Sequence, residues 1–159
     1  MSLLKKIIKY SKIVSIDVHI YRITRDTVNV SIPDINMPVD VAKVGSKVMY
    51  SIMDDSTFVH SSFLYKSVNL LKLVKKKGPA IGNCGTNPNY RGRSIYPFVI
   101  NKIAKEVIAE GKEEVFIIVN SDNVSSIKGI LKAGFKLYAE IRCKRFLLYC
   151  FDVKTIYHT

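Results

Sequence analysis

The sequence predicts an α/β domain whose sheet has parallel central strands and an antiparallel C-terminal edge. Three observations predict it. In the second half, apolar patterns follow in the order strand, helix, strand, helix, strand, strand. Val115 to Val119 is an unbroken apolar run, the pattern of a strand buried on both faces. Residues 96–110 repeat with helical period instead, so that Val99, Ile100, Ile103, Val107 and Ile108 share one face.

The elements can be justified in order. Residues 13–24 alternate, with Ile16, Val18, Ile20 and Arg22 on one side, and read as a strand. Asp26-Thr27 is then a turn into a second strand, Val28 to Ile32. Residues 33–56 carry Pro33, Pro38 and Gly45 with weak periodicity, and receive no assignment. Phe58 to Leu64 alternates again, placing Phe58, His60, Ser62 and Leu64 on one face. Val68 to Val74 fits a strand or a helical turn before the Lys75–Lys77 run and Gly78-Pro79. A short apolar run, Ala80 to Thr86, is a strand. The helix at 96–110 tolerates Pro97 because it lies in the first turn, and Gly111 suits the position after the last. Asp122 or Asn123 caps the next helix, which ends at Gly134. Phe135 to Arg142 and Arg145 to Val153 close the chain as a hairpin. Right-handed crossover then places both helices.

Composition sets the limits. The 159 residues are 48% hydrophobic and 24% charged, which suits a globular chain, and residues 1–159 are read as a single domain. No apolar run approaches the roughly 20 residues of a membrane-spanning helix. Residues 1–12 read as a basic amphipathic helix, with Leu3, Leu4, Ile7 and Ile8 on one face and Lys5, Lys6, Lys9 and Lys12 mostly elsewhere. It is expected to dock on its own domain, with peripheral contact to an anionic membrane as the alternative. Cys84, Cys143 and Cys150 lack metal-ligand spacing, so no metal is expected. With no secretory signal, these thiols point to a reducing cytoplasm. A net charge of +12 favours a polyanionic ligand: nucleic acid, anionic lipid or a multiply phosphorylated small molecule.

Residues 86–96, Thr-Asn-Pro-Asn-Tyr-Arg-Gly-Arg-Ser-Ile-Tyr, narrow that choice. A strand leads in and a helix leads out, and between them the backbone turns on Pro88 and Gly92 beside two guanidinium groups. Free N–H groups and the positive end of the helix dipole make such a turn an anion site. Gly92 permits close backbone approach, and Arg91 or Arg93 can neutralise the anion. The segment lacks the Gly-Lys-Ser/Thr ending of a Walker loop and the three spaced glycines of a dinucleotide fingerprint.

Asn-Pro-Asn-Tyr-Arg-Gly-Arg-Ser-Ile-Tyr resembles the acyl-coenzyme A loop of the GNAT superfamily of N-acetyltransferases, whose pattern is Gln/Arg-x-x-Gly-x-Gly/Ala. Arg91 takes the first position, while Ser94 and Tyr96 stand where the family has glycine or another small residue. Downstream, Asn123-Val-Ser-Ser126-Ile127-Lys-Gly-Ile-Leu-Lys132-Ala-Gly134-Phe135 is similar to the family's Asn-x-x-Ala-Ile-x-Leu-Tyr-x-Lys-x-Gly-Phe. The resemblance covers residues 79–153. It implies a twisted mixed sheet with helices on both faces, acetyl-coenzyme A as acyl donor, and transfer to a small-molecule or sugar amine. Backbone N–H groups of Gly92, Arg93, Ser94, Ile95 and Tyr96 would hold the pyrophosphate. Main-chain groups near Cys84 and Thr86 would pair with the pantetheine, and Asn123 and Ser126 would line the other wall. Arg91, Arg93 and Lys132 would meet phosphate charge. The ring of Tyr96 must turn away from the pyrophosphate, toward the core or the acceptor pocket.

The chemistry departs from the family pattern. Many members carry an acidic tyrosine on the second helix, and here that position is Ile130. Residues 80–86 also lack the carboxylate that many members place there. His60 is the candidate base, because an imidazole suits proton transfer near neutral pH, against the plain reading of a hydrogen-bonded strand histidine. His19 and His158 have less claim. Cys84 invites an acyl-enzyme reading, but nothing in its sequence neighbourhood lowers its pKa, and a packed thiol is expected. Tyr138 and Tyr149 are candidate substitutes for the missing acid. The leading expectation is an N-acetyltransferase, with an anionic amine suiting the basic surface and a homodimer compatible with it. A catalytically silent coenzyme-binding module is the alternative. A nucleic-acid-binding domain is disfavoured, since no aromatic RNA-binding motif or zinc pattern is present.

Overall fold

Alternation over residues 13–24 becomes β1 (Val14–Thr24), an eleven-residue strand that lies inside the sheet because both of its sides find partners. The computed structural model describes residues 12–158, so the basic helix expected over residues 1–12 lies outside the described residues apart from Lys12. The remaining strands are β2 (Asp40–Val44), β3 (Lys47–Asp54), β4 (Thr57–Tyr65), β5 (Ala80–Thr86), β6 (Glu114–Asn120), β7 (Lys136–Phe146) and β8 (Tyr149–Tyr157). Among the described residues there are also two helices, α1 (Ile95–Ala109) and α2 (Val124–Lys132), and short 3-10 turns at Asn69–Val74 and Pro88–Tyr90.

Among the described residues the strands form one sheet in the order β2-β3-β4-β5-β6-β1-β7-β8. Parallel pairing is confined to β5 and β6 at its centre, and every other neighbour is antiparallel. The period of two sorts the core onto two faces. Tyr21 and Ile23 of β1 and Ile117 and Val119 of β6 join Val99, Ile100, Ile103 and Val107 of α1, with Ile130 of α2. Val18 and Ile20, one residue out of phase, face the other way with Phe116, Ala139 and Ile141. That second face is covered by Leu71 and Val74 of the 3-10 turn. Among the described residues α1 and α2 thus cover one face and the 3-10 turn at Asn69–Val74 covers part of the other.

Three segments differ from the sequence expectation. Residues 28–32 form no strand. The N–H groups of Thr27 and Val28 both turn back to the Thr24 carbonyl at 3.0 Å. The Val28 carbonyl is taken by the buried Asn101 side chain at 3.1 Å, which also donates to the Ala133 carbonyl at 2.9 Å. One amide on α1 thus holds both this loop and the end of α2. Residues left unassigned at 40–54 form the β2–β3 hairpin, turned by Gly45 at a φ of 60°. The C-terminal hairpin turns at Leu147-Leu148 rather than at residues 143–144, so β7 and β8 are longer than the periodicity indicated. Its outer strand leaves Tyr149, Ile156 and Tyr157 exposed, since an edge strand has no second neighbour. No helix among the described residues is long and apolar enough to cross a membrane.

Asn101→Ala removes both of these hydrogen bonds and leaves two inward carbonyls without a donor. It is expected to lower unfolding free energy by about 2–4 kcal/mol, read by urea denaturation.

Candidate functional site

The site begins where two strands part. β5 and β6 pair only at Ala80 with Phe116 and at Ile81 with Ile117, although β5 continues to Thr86 and β6 to Asn120. The cause is visible on the other side of β5. Against β4, Ser61 pairs with Gly85 and Phe63 with Gly82, so Ser62 faces two residues, Asn83 and Cys84. Asn83 takes a φ of 49°, and its side chain donates to the Tyr65 hydroxyl at 2.6 Å. Such a bulge bends its strand, and here the bend carries residues 82–86 away from β6. Their main-chain groups on that side have no ladder partner.

The chain then makes the basic turn. Asn87 fastens it to β4, its N–H reaching the Val59 carbonyl and its side chain the Phe58 carbonyl, each at 2.8 Å. Gly92 adopts a φ of 77°, which a side chain would strain. Ser94 is left-handed at 61° and caps α1 without a side-chain hydrogen bond. The first helical bond runs from Phe98 N–H to the Ser94 carbonyl, and Pro97 has no N–H. Ile95 and Tyr96 therefore start the helix with N–H groups that have no intrahelical partner, and no acidic side chain stands in the first turn. On the facing wall Asn123 caps α2, its Oδ1 accepting from the Ser126 N–H at 3.2 Å. Lys132 joins the two helix starts by donating to Ser94 Oγ at 2.7 Å.

These walls enclose a cleft of about 660 Å³. Cys84, Thr86, Arg91, Gly92, Ser94, Ile95, Tyr96, Asn123 and Ser126 all line it, as do Lys128 and Lys132, and none of its lining residues is Asp or Glu. Arg93 does not line it; its guanidinium lies over the Tyr90 ring, 5.0 Å from the centroid. Sequence reasoning passed over Lys128 and Gly129. The signal for Lys128 was present, since it precedes Lys132 by one helical turn and shares its face.

Beneath the cleft runs a chain of polar side chains. Thr86 Oγ1 lies 2.8 Å from His60 Nδ1, and His60 Nε2 lies 2.8 Å from Ser62 Oγ. The Cys84 thiol lies beside the Ser62 and Tyr96 side chains. One assignment satisfies the imidazole: the Thr86 hydroxyl donates to Nδ1, and Nε2–H donates to Ser62 Oγ. His60 is fully buried, and burial lowers its pKa to about 4, so the ring is neutral at pH 7. It does not itself line the cleft, but its Nδ1 partner Thr86 does. Burial pushes the Cys84 thiol up to about 11 against the opposing effect of Ser62 and Tyr96. Burial, and then the neighbouring thiol, raises Tyr96 above the ordinary phenol range.

The other candidates lie elsewhere. His19 and His158 both approach Glu140, at 3.8 Å and 2.8 Å. Tyr138 packs edge-on to Phe116 and Tyr157 under the Arg22 guanidinium, and Tyr149 is exposed beside the hairpin turn. Ile130 is wholly buried in the core.

No protein-family model and no curated protein sequence matches the chain. Among solved structures it is similar to a GNAT-family protein from Novosphingobium aromaticivorans assigned as an acetyltransferase. The TM-score is 0.58 at 14% identity, over 79% of this chain and 62% of that one. The chain thus spans less than two thirds of that structure's length. The fold is the GNAT fold: a mixed sheet with one parallel pair, opening toward two helix starts.

The neutral, buried His60 has a consequence for stability. Its pKa is lowered on folding, so the unfolded chain binds more protons between about 4 and 6.5. The His60 contribution is complete above pH 6.5 and is lost as the pH falls toward 4, a loss on the order of 3 kcal/mol. His60→Gln is expected to flatten that part of the stability–pH curve, and NMR should find the His60 ring titrating near pH 4 in the native protein.

Proposed function

We propose that this chain is an acyl-coenzyme A-dependent N-acyltransferase that moves an acetyl or similar acyl group to a primary amine by direct attack. One observation carries the reading. The cleft opens between an unpaired strand edge and an uncapped helix start, and is lined by Arg91, Lys128 and Lys132 with no carboxylate. That donor set fits a coenzyme bearing an extended diamide arm and several phosphates.

The roles follow from the chemistry of each wall. Main-chain groups from Gly82 to Thr86 take the pantetheine amides as an added strand. The N–H groups from Gly92 to Tyr96 take the pyrophosphate, and Arg91, Lys128 and Lys132 neutralise it. Arg93 acts at one remove, by stacking on Tyr90 and stiffening the turn. When bound, acetyl-coenzyme A supplies the acyl group as an activated thioester. The protein orients the reactants and excludes water. His60 takes part through the Thr86 hydroxyl, holding it at the cleft wall, because the ring itself is covered. The basic surface suits an anionic amine acceptor, such as an amino sugar carrying phosphate. We read residues 1–159 as one such domain, working where Cys84, Cys143 and Cys150 stay reduced.

A silent coenzyme-binding module is the second reading, favoured by the buried Ile130 and the absence of a cleft carboxylate. Acetyl-coenzyme A at a hundred times its dissociation constant is expected to add about 2.7 kcal/mol. That should raise Tm by about 5–10 °C for a chain of this size. Arg91→Glu should reduce the rise by at least half; an unchanged rise would show that the phosphates bind elsewhere. Release of free thiol with a panel of amines separates an enzyme from a silent binder, and no release with any amine would favour the latter.

A further inference from the structure

The C-terminal hairpin outruns the centre of the sheet. Asn120, the end of β6, stands level with Val18 of β1 and so with Ile141 of β7, yet β7 continues to Phe146. The segment from Arg142 to Phe146 carries the hairpin roughly 15 Å past β6. It projects at the same end of the sheet as the cleft, since β7, β6 and β5 all run the same way. At its tip Phe146 pairs with Tyr149, so the turn is Leu147-Leu148 alone. Two-residue hairpin turns favour asparagine and glycine, because they need left-handed backbone. Here Leu147 holds a φ of 53°, a conformation that suits leucine poorly. No burial compensates for it: Leu148 is 86% exposed and Tyr149 78%, with Phe146 and Leu147 exposed beside them. A projecting tip of large apolar side chains, kept at a cost to the backbone, has its use outside the fold.

The charges around the tip indicate its partner. On the projecting part, residues 12–17 and 142–154, the cations are Lys12, Arg142, Lys144, Arg145 and Lys154. The anions there are Asp17 and Asp152, which pair with Arg142 at 3.1 Å and with Lys144 at 3.4 Å. Positive charge thus flanks the apolar tip, on a chain of net charge +12. β1 begins beside it, with Val14 opposite Arg145 and Ile13 61% exposed. Residues 1–11 therefore enter the fold at this end of the sheet. Their sequence has the same chemistry, with Leu3, Leu4, Ile7 and Ile8 among Lys5, Lys6 and Lys9. We propose that the Leu147-Leu148 turn is a membrane anchor, which inserts into the surface of an anionic bilayer while the flanking cations meet lipid phosphates. The leucines take the acyl region, and Phe146 and Tyr149 the interface where aromatic rings settle. Lysines and arginines take the headgroups. A second copy of this chain fits the tip less well, because it would press one set of cations on another. Attachment by so small a tip is reversible and salt-sensitive. It stands independently of the coenzyme reading, since no residue of the tip lines the cleft.

The chain has no tryptophan, so Tyr149→Trp places a single fluorescent reporter at the tip. The full chain is mixed with vesicles of equal parts phosphatidylcholine and phosphatidylglycerol, and separately with pure phosphatidylcholine vesicles and with soluble glycerol phosphate. With the anionic vesicles alone, the emission should move about 10 nm to shorter wavelength and be quenched by brominated acyl chains. Wild type should sediment with the same vesicles, and about 1 M salt should weaken its partition at least tenfold. Leu147→Asn with Leu148→Gly suits the turn and should fold at least as well as wild type, checked by circular dichroism. Its partition into anionic vesicles should nevertheless fall about tenfold or more. Wild-type affinity in that variant would assign membrane contact to another part of the chain and overturn the proposal. So would failure of wild type to bind vesicles, or an unshifted reporter on vesicle-bound protein. A short-wavelength reporter in the free protein would show the tip already covered, and would overturn it too. A dimer that Leu147→Asn with Leu148→Gly abolishes, seen by analytical ultracentrifugation, would give the tip to a second copy instead.

Discussion

The separation of β5 from β6 after two residue pairs is the constraint on which the rest of the molecule depends. A sheet gains by pairing every strand, so a central pair that parts must be held apart. The bulge at Asn83 and Cys84 does so from the β4 side, by giving β5 one residue more than its partner requires. Once bent, β5 delivers the turn at residues 87–94 over the gap, and α1 starts with its N–H groups facing it. The interior pays no penalty for the unpaired edge because the edge lines an open cleft rather than a dry core.

The polar chain from Thr86 through His60 and Ser62 to Cys84 and Tyr96 is the second consequence of that bend. It occupies core space that β4 and α1 could have filled with apolar side chains, and His60 and Ser62 are fully buried. Such a network is stable only when its buried members are satisfied, and here both ring nitrogens of His60 have hydroxyl partners, Thr86 and Ser62. Its two ends, Thr86 and Tyr96, are the members that meet the cleft together with Cys84. The core is therefore rigid at the point where the cleft wall must be accurate.

Much of the second half was legible in the sequence. The helical face of Val99, Ile100, Ile103, Val107 and Ile108 is buried as its period required, and Asn123 caps α2 as its type and position indicated. The basic turn and helix start at residues 86–96 were also legible, because Pro88, Gly92 and the arginines lie within a few residues of one another. The first half was less so. Val28 to Ile32 has strand-like residues, but the carbonyl of Val28 is claimed by Asn101, more than seventy residues away. The β2–β3 hairpin was hidden because β2 is exposed along its whole length and so shows no apolar alternation.

By itself the sequence determined the element order of the second half, its buried faces and the place where a basic turn leads into a helix start. Each of these depends on local periods, capping and backbone freedom. Only the tertiary structure decided how far β5 parts from β6, that His60 is covered while its partner Thr86 lines the cleft, and that the Tyr96 ring packs against Gly129. Those facts depend on which residues meet across strands and helices, and distance along the chain carries no information about such meetings until the sheet is assembled.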